Sequence, residues 1–304
     1  MIQRATRIAP PRFQILARSA KVPHSRRDPS KNRTTSSGRT GTRKRSPVQS
    51  FGQNGIVDLK LDMDQNLDPE TAEVGLHSAP IIAKGVVVIG AAHLAGGSPR
   101  GQSNVKGYVR GFDVRTGKRL WIFHTIPRPG EFGNDTWLND SWSYTGNTGV
   151  WAQMTIDEEL NMVYLPVEIP TGDYYGGHRP GNNLFAESLV AVDLHTGQRK
   201  WHYQLVHHGL WDHDIPCAPI LADIVVDGKP IKAVAQASKQ GWVYVFNRET
   251  GEPVWPIEER PVPAGDVPDE WYSPTQPFVT KPPPFERQGV SEDDLIDFTP
   301  ELRA

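Results

Sequence analysis

The sequence predicts an all-β chain built as a partial β-propeller behind a basic N-terminal arm. Three observations point there. Three segments repeat one signature: Gly111–Trp121 (GFDVRTGKRLW), Ala191–Trp201 (AVDLHTGQRKW) and Val245–Trp255 (VFNRETGEPVW), with their tryptophans 80 and 54 residues apart. Between them lie short runs of β-branched and aromatic residues of the kind that fill strands. Gly and Pro together make 55 of 304 residues, or 18%, against roughly 12% on average, which argues for many turns and against a helical bundle or coiled coil.

The arm comes first in chain order. Residues 1–50 hold 13 Lys/Arg against one acid, Asp28, whereas residues 51–304 hold 20 against 34, so a net charge of −2 hides +12 and −14. Apolar residues in the arm cluster only near Phe13–Leu16. Such a composition cannot bury enough surface to offset the entropy of ordering, and the arm is expected to be disordered. An organelle transit peptide, a nucleic-acid-binding arm and a solvated tail outside the native domain compete for it. The abrupt change of composition at Phe51 and the lack of an aromatic or Gly-patterned RNA motif favour the tail, with no nucleic-acid partner. No apolar segment follows the charges as in a secretory signal, and no run of 18 apolar residues suggests a membrane-spanning helix.

The body, 51–304, is expected to carry the blades. Gly85–Ile89, Met162–Leu165, Leu189–Val192 and Trp242–Phe246 read as strands bounded by turn signals. In each repeat Asp113, Asp193 or Asn247 opens a turn, Thr-Gly closes it with glycine at positive φ, and Trp starts the returning strand. A β-sandwich would explain the strands but not the recurring turn and tryptophan; a propeller, with four-stranded blades around an axis, explains both. Pro253–Pro284 holds ten prolines in 32 residues, and the chain is read as cut at its C-terminal end. The single cysteine, Cys217, excludes an internal disulfide framework and a multi-cysteine metal site.

The densest polar cluster is HHGLWDHDIP, His207–Pro216, with three histidines (207, 208, 213) and two aspartates (212, 214). It reads as an imidazole–carboxylate metal site, as a loop carrying an aspartate general base, or as a polar loop that caps turns. Lys239, just before a strand, is either a partner for an anionic ligand or a surface lysine at a turn. Trp151 is a stacking platform for a flat ligand or a core residue. Glu168, Thr171 and Asp173 offer oxygens to a hard cation such as Ca²⁺.

Taken in order, the Thr-Gly-x-x-x-Trp repeats, VKGYVRGFDVRTGKRLW, VWAQMTIDEELNMVYLP, HHGLWDHDIPCAP and ASKQGWVYVFNRETG resemble the pyrroloquinoline quinone (PQQ)-dependent dehydrogenases, most closely their glucose dehydrogenase-like branch. The resemblance covers Phe51 to Ala304, and Asp212 and Lys239 stand 27 residues apart, as in that branch. It implies an eight-bladed propeller of which this chain holds about half. It implies that Asp212 is the general base that takes the substrate hydroxyl proton. Lys239 would hydrogen-bond the quinone oxygens, Trp151 would form the floor under the ring, and Thr171 would lie near cofactor and metal. Arg110, with Lys106, would line the cofactor carboxylates. A Ca²⁺ or Mg²⁺ ion is implied, with Glu168 and Asp212 as carboxylate ligands.

The alcohol-oxidising branch carries an Asn ligand after VYL, a Glu where this chain has Gln102, and a vicinal Cys pair; here the turn reads Pro166-Val167-Glu168-Ile169 and no pair exists. The glucose-like branch is therefore expected, with a sugar or alcohol substrate, electrons passed to a membrane quinone or cytochrome, and a periplasmic location. The other reading is a non-catalytic propeller scaffold, or an inactive fragment of such an enzyme. Scaffolds keep the structural repeats but need not keep Trp151, Asp212 and Lys239 together.

Overall fold

The computed structural model describes residues 14–16, 47–68, 70–93 and 101–303. Apart from residues 14–16 and 47–50, the arm predicted over 1–50 lies outside the described residues. In chain order the strands are β1 (Gln14–Leu16), β2 (Ile56–Asp58), β3 (Val74–Gly75), β4 (Ile81–Ala83), β5 (Val86–Ile89), β6 (Ala92–His93), β7 (Val109–Asp113), β8 (Arg119–Phe123), β9 (Thr155–Asp157), β10 (Met162–Pro166), β11 (Ser188–Asp193), β12 (Arg199–Gln204), β13 (Ile220–Val226), β14 (Lys229–Ala237), β15 (Val243–Asn247), β16 (Ile257–Pro261) and β17 (Thr275–Val279). Helix among the described residues is limited to short 3₁₀ turns and the single turn Pro300–Arg303, and none is long and apolar enough to cross a membrane.

Two antiparallel four-stranded sheets, β4-β5-β7-β8 and β9-β10-β11-β12, and a three-stranded one, β13-β14-β15, form successive blades. This is the open, partial propeller that the repeats predict. In the third blade the place of an outer strand is taken by one bridge, Phe246 to Pro253. Smaller pairs, β1-β2, β3-β6 and β16-β17, flank the blades. Thus Gln14–Leu16, within the arm, pairs antiparallel with Ile56–Asp58.

The blades stack face to face. Val88, Val109 and Trp121 of the first pack with Val163, Leu165, Val190 and Val192 of the second. From the same strands, Met162, Tyr164, Leu189 and Ala191 face the other way, onto Val234, Tyr244 and Phe246 of the third. Neighbours on β10 and β11 point to opposite faces, so a blade covered on both sides needs continuous apolar runs. MVYLP is accordingly buried at every position, whereas β13, on the outer side of the stack, alternates between exposed and half-buried.

The repeat signature proves to be an inter-blade joint. Within each turn the opening residue folds back on the next few: Asp113 Oδ1 accepts from the backbone N–H of Arg115 (3.0 Å) and Thr116 (2.7 Å) and from the Thr116 hydroxyl (2.8 Å). Asp193 repeats this with His195 and Thr196, and Asn247 with Glu249 and Thr250. The tryptophan then reaches across. Trp121 Nε1 donates to the carbonyl of Leu194 (2.9 Å), and Trp201 Nε1 to that of Arg248 (3.1 Å), each the residue after the next turn's opener.

Each indole also covers the next turn's glycine. A Cβ on Gly197 would sit 2.6 Å from the Trp121 ring, and one on Gly251 2.7 Å from the Trp201 ring. Both glycines are left-handed, at φ 68° and 80°. The first turn has no preceding tryptophan, and buried Phe51 fills that place 3.1 Å from a Cβ on Gly117. An ion cluster adds to the second joint: Arg248 Nε meets Asp157 Oδ2 at 2.7 Å and its Nη1 meets Asp223 Oδ1 at 3.0 Å.

The joint separates two costs of adding a methyl group. Gly197→Ala is expected to lose about 1–2 kcal/mol to left-handed backbone and about 1–3 kcal/mol more to the clash with Trp121. Gly130 has a similar φ of 86° but nothing within 4 Å of a built Cβ, so Gly130→Ala should show the first loss alone. Urea unfolding of both variants measures the difference; equal losses would refute the joint.

Candidate functional site

Connections alternate ends in an antiparallel meander, so the Thr-Gly turns lie at one end of the blades and the long connections at the other. The second end holds every residue singled out for chemistry, apart from Arg110 on β7. Its frame is residues 145–151, which lie between two neighbouring segments. Asn147 N donates to Val105 O (2.8 Å), Thr148 N to Ile169 O (3.3 Å) and Val150 N to Ala91 O (3.1 Å). The approach is close enough that a Cβ on Gly149 would fall 1.6 Å from Ala91 O, so only glycine fits. At the end of this segment Trp151 is half-buried, with one ring face toward a cation: Lys239 Nζ lies 5.8 Å from its centroid.

Lys239 joins the site's carboxylates. Its ammonium lies 3.0 Å from Asp212 Oδ2 and 3.2 Å from Asp214 Oδ2. Asp214 Oδ1 accepts from Ile169 N at 2.8 Å, which ties the His207–Pro216 loop to the segment carrying Glu168. Asp212 N donates to Asp173 O (3.2 Å). Glu168 Oε1 accepts from Gly149 N at 2.9 Å.

Two aspartates therefore bracket one ammonium, with Glu168 and Asp173 close to them, and the proton affinities of Glu168, Asp173 and Asp214 shift accordingly. Burial, reinforced by the charge of Asp214, raises the pKa of Glu168 well above the usual carboxylate range. Burial and the Asp212 charge raise that of Asp173 against the pull of Lys239 and Arg179. Asp214 is raised chiefly by burial, which its hydrogen bond from Ile169 and the charge of Lys239 only partly offset. Burial works against the charged form of Lys239, but the two aspartates outweigh it and hold its pKa above the usual lysine value.

The structure thus brings together Trp151, Lys239 and Asp212, with Glu168 joined to them through Ile169 and Asp214. Thr171 is buried nearby: its N–H donates to Gly146 O (3.2 Å), its carbonyl accepts from His178 Nε2 (2.7 Å), and its hydroxyl has no protein partner. Arg110 is placed elsewhere. Its guanidinium is buried and donates to the carbonyls of Leu61 (2.9 Å) and Leu59 (2.8 Å). Lys106 Nζ donates to Ser143 O (3.1 Å), and burial pushes its pKa down to about 8. Among the described residues no three His, Cys, Asp or Glu side chains converge as a metal-ligand set. His207 and His208 turn away from any such set: His207 bonds Gln204 and Glu259, and His208 bonds Gly181 O and Glu270.

Sequence reasoning missed the layer beneath. Arg179 is fully buried and donates to Asn183 Oδ1 (2.9 Å) and to the carbonyls of Gly172 (2.9 Å) and Gly209 (2.7 Å). Glu187 is buried beside Gly209, with no hydrogen-bond partner on either carboxylate oxygen. Burial raises its pKa to about 8 despite the nearby charge of Arg179. The only sequence signal was a pair of charged residues among loop glycines and a strand start.

The profile of the PQQ glucose/ethanol/alcohol dehydrogenase β-propeller domain matches residues 38–304. The chain is 37% identical over 235 residues to a quinoprotein glucose dehydrogenase of Escherichia coli K12, covering 76% of this chain and 28% of that protein. It is 34% identical over 264 residues to a quinate/shikimate dehydrogenase (quinone) of Acinetobacter baylyi, covering 83% and 30%. The solved structure of a quinohemoprotein alcohol dehydrogenase from Pseudomonas putida superposes with a TM-score of 0.56 at 32% identity, over 67% of this chain and 31% of that one. The chain thus spans about three tenths of the length of these relatives, and they divide among glucose, quinate/shikimate and alcohol branches rather than gathering in one.

Glu187 gives a signed pH dependence. An unfolded glutamate releases its proton near 4.5, whereas folded Glu187 keeps its proton to about 8. Between those values the folded state binds more protons, so its contribution to stability is full below 4.5 and is lost as pH rises toward 8. Glu187→Gln is expected to flatten that part of the profile and to gain stability relative to the parent at pH 8. Urea midpoints at pH 5 and pH 8 check this; an unchanged slope would refute it.

Proposed function

The chain belongs to the PQQ-dependent glucose/ethanol/alcohol dehydrogenase β-propeller family, and from that membership we propose that it is the cofactor-bearing part of a dehydrogenase that oxidises a sugar or polyol hydroxyl. The observation that carries this reading is the convergence of Trp151, Lys239 and Asp212 from three separate connections of the propeller. A scaffold has no need of that convergence.

The residues fit a flat, anionic quinone. Trp151 offers an aromatic face, Lys239 offers an ammonium beside that face, and the buried Thr171 hydroxyl has no protein partner. When bound, PQQ supplies the acceptor for the two electrons of the substrate C–H bond. Trp151 then supports the ring, and Lys239 donates hydrogen bonds toward the quinone oxygens, where negative charge develops. Asp212, a third exposed and held at Oδ2 by Lys239, takes the proton of the substrate hydroxyl as general base. Asp214 keeps Lys239 in place through its own tie to Ile169. Arg110 stays in the proposal only as support for residues 59–62, since both its terminal nitrogens donate to carbonyls of that segment.

Glu168 and Asp212 are the carboxylates we assign to a Ca²⁺ or Mg²⁺ ion. Two carboxylates do not fit a complete site for a cation such as Ca²⁺, which takes six to eight oxygens, and no step is derived through it. Electron transfer to a membrane quinone or a cytochrome, and a periplasmic location, follow the same family reading. The electron acceptor is supported by the quinone named for the Acinetobacter relative and the haem named for the Pseudomonas one.

PQQ titrated with Ca²⁺ into the 304-residue chain, followed by cofactor absorbance and Trp fluorescence, should saturate. Lys239→Ala is expected to weaken binding about tenfold or more, since it removes the one ammonium at the platform. Asp212→Asn should still bind PQQ but lose about 10²–10⁴-fold in turnover with a dye acceptor. Full turnover by Asp212→Asn would remove the general-base assignment.

A further inference from the structure

A cleft of about 870 Å³ lies beside the Asp212–Lys239 pair, lined mostly by residues outside the site described above. Trp211 and His213, on either side of Asp212, line it, and so does Gln240, which follows Lys239. Its opposite wall is the β16–β17 hairpin with its connecting loop, residues 262–274. That wall is fastened rather than loose. Glu270 Oε2 accepts from Gly176 N (2.7 Å), Glu270 Oε1 meets His208 Nε2 (3.2 Å), and Gln276 exchanges two hydrogen bonds with the His207 backbone (2.9 and 2.6 Å).

The lining has two chemical properties. It presents aromatic side chains, among them Trp211, Trp242 and Tyr272, next to the side-chain amide of Gln240. It contains no lysine or arginine, while Asp266 and Glu270 are acidic. A ring with an apolar face can stack here and hydrogen-bond at its edge. A carboxylate would meet the exposed Asp266 and no lysine or arginine in the lining, which is how a site rejects a competitor.

We propose that this cleft is the specificity subsite for the hydroxylated substrate, and that it takes an uncharged, flat-faced ring and excludes carboxylated ones. This rests on the dehydrogenase reading and deepens it, because the relatives include both glucose and quinate/shikimate enzymes.

The test uses the full chain and a matched pair of probes, D-glucose and D-glucuronate, which differ in charge at one carbon. Saturation-transfer NMR should show ring protons of glucose against the protein, with glucuronate about tenfold weaker or more. Trp211 is 74% exposed, so Trp211→Ala should fold normally by circular dichroism and still lose the glucose signal. Asp266→Lys, also at an exposed position, should bring glucuronate into range. Equal binding of the two sugars, no glucose binding, or indifference to both substitutions would overturn the inference. PQQ titration run in parallel separates the two claims. Cofactor binding without sugar selectivity sinks the cleft alone, and selectivity without cofactor binding sinks the dehydrogenase reading alone.

Discussion

The docking of one blade's tryptophan on the next blade's turn glycine is the contact on which the other features depend. It fixes three things together: the spacing of adjacent sheets, their rotation, and which end of each sheet is closed. The indole can lie flat only where the turn residue has no Cβ, and glycine is also the residue that tolerates the left-handed backbone that the turn needs. One residue type therefore meets a packing demand and a conformational demand at once. The result is a rigid end made of short turns and an opposite end where long connections are available for chemistry. Phe51, seated on the first turn, shows that the joint asks for a flat ring more than for an indole N–H.

At the connection end the organising constraint is electrostatic. Asp212 and Asp214 bracket one ammonium with Glu168 and Asp173 close to them, and Glu168, Asp173 and Asp214 have their pKa raised by burial and by neighbouring carboxylates. Such crowding has no use in a purely structural loop, where replacing an acid by an amide would be more favourable. It suits a place where a proton is accepted and charge appears on a bound partner. Lys239 is the cation that pairs directly with two of these acids, so their geometry follows from where that side chain is held.

What the sequence made legible was what is local. The Asp-Thr-Gly turns could be read because opener, hydroxyl and glycine lie within five residues, and the strands between them were placed to within a residue or two. The second half of the joint was not legible: Trp121 and Gly197 were both in the motif, but nothing in one repeat says that its ring belongs to the next. Trp151, Asp212 and Lys239 were singled out one by one from their residue types, and only the family resemblance set them together, since their own spacing carries no geometry. Arg110 was read toward the cofactor carboxylates on that same resemblance. Its guanidinium instead faces the backbone carbonyls of 59–62, and that segment offers no sequence signal of acceptors. Glu187 and Arg179 were invisible for a related reason: their meaning comes from burial, which loop composition does not reveal.

The two ends also differ in how they are held, and that difference bears on function. Each turn is closed internally by bonds spanning two or three residues and is tied to the neighbouring blade by a tryptophan bond across 73 or 47 residues. The connection end is fixed by long-range ties: Asp214 to Ile169 across 45 residues, His208 to Glu270 across 62, and Gln276 to His207 across 69. Each such tie joins separate segments of the chain, so Asp212, Lys239 and the wall of the cleft are positioned by the assembled stack and not by any single loop. Chemistry at this end is thereby coupled to the correct stacking of neighbouring blades, which makes the inter-blade joint a precondition of the site as well as of the fold.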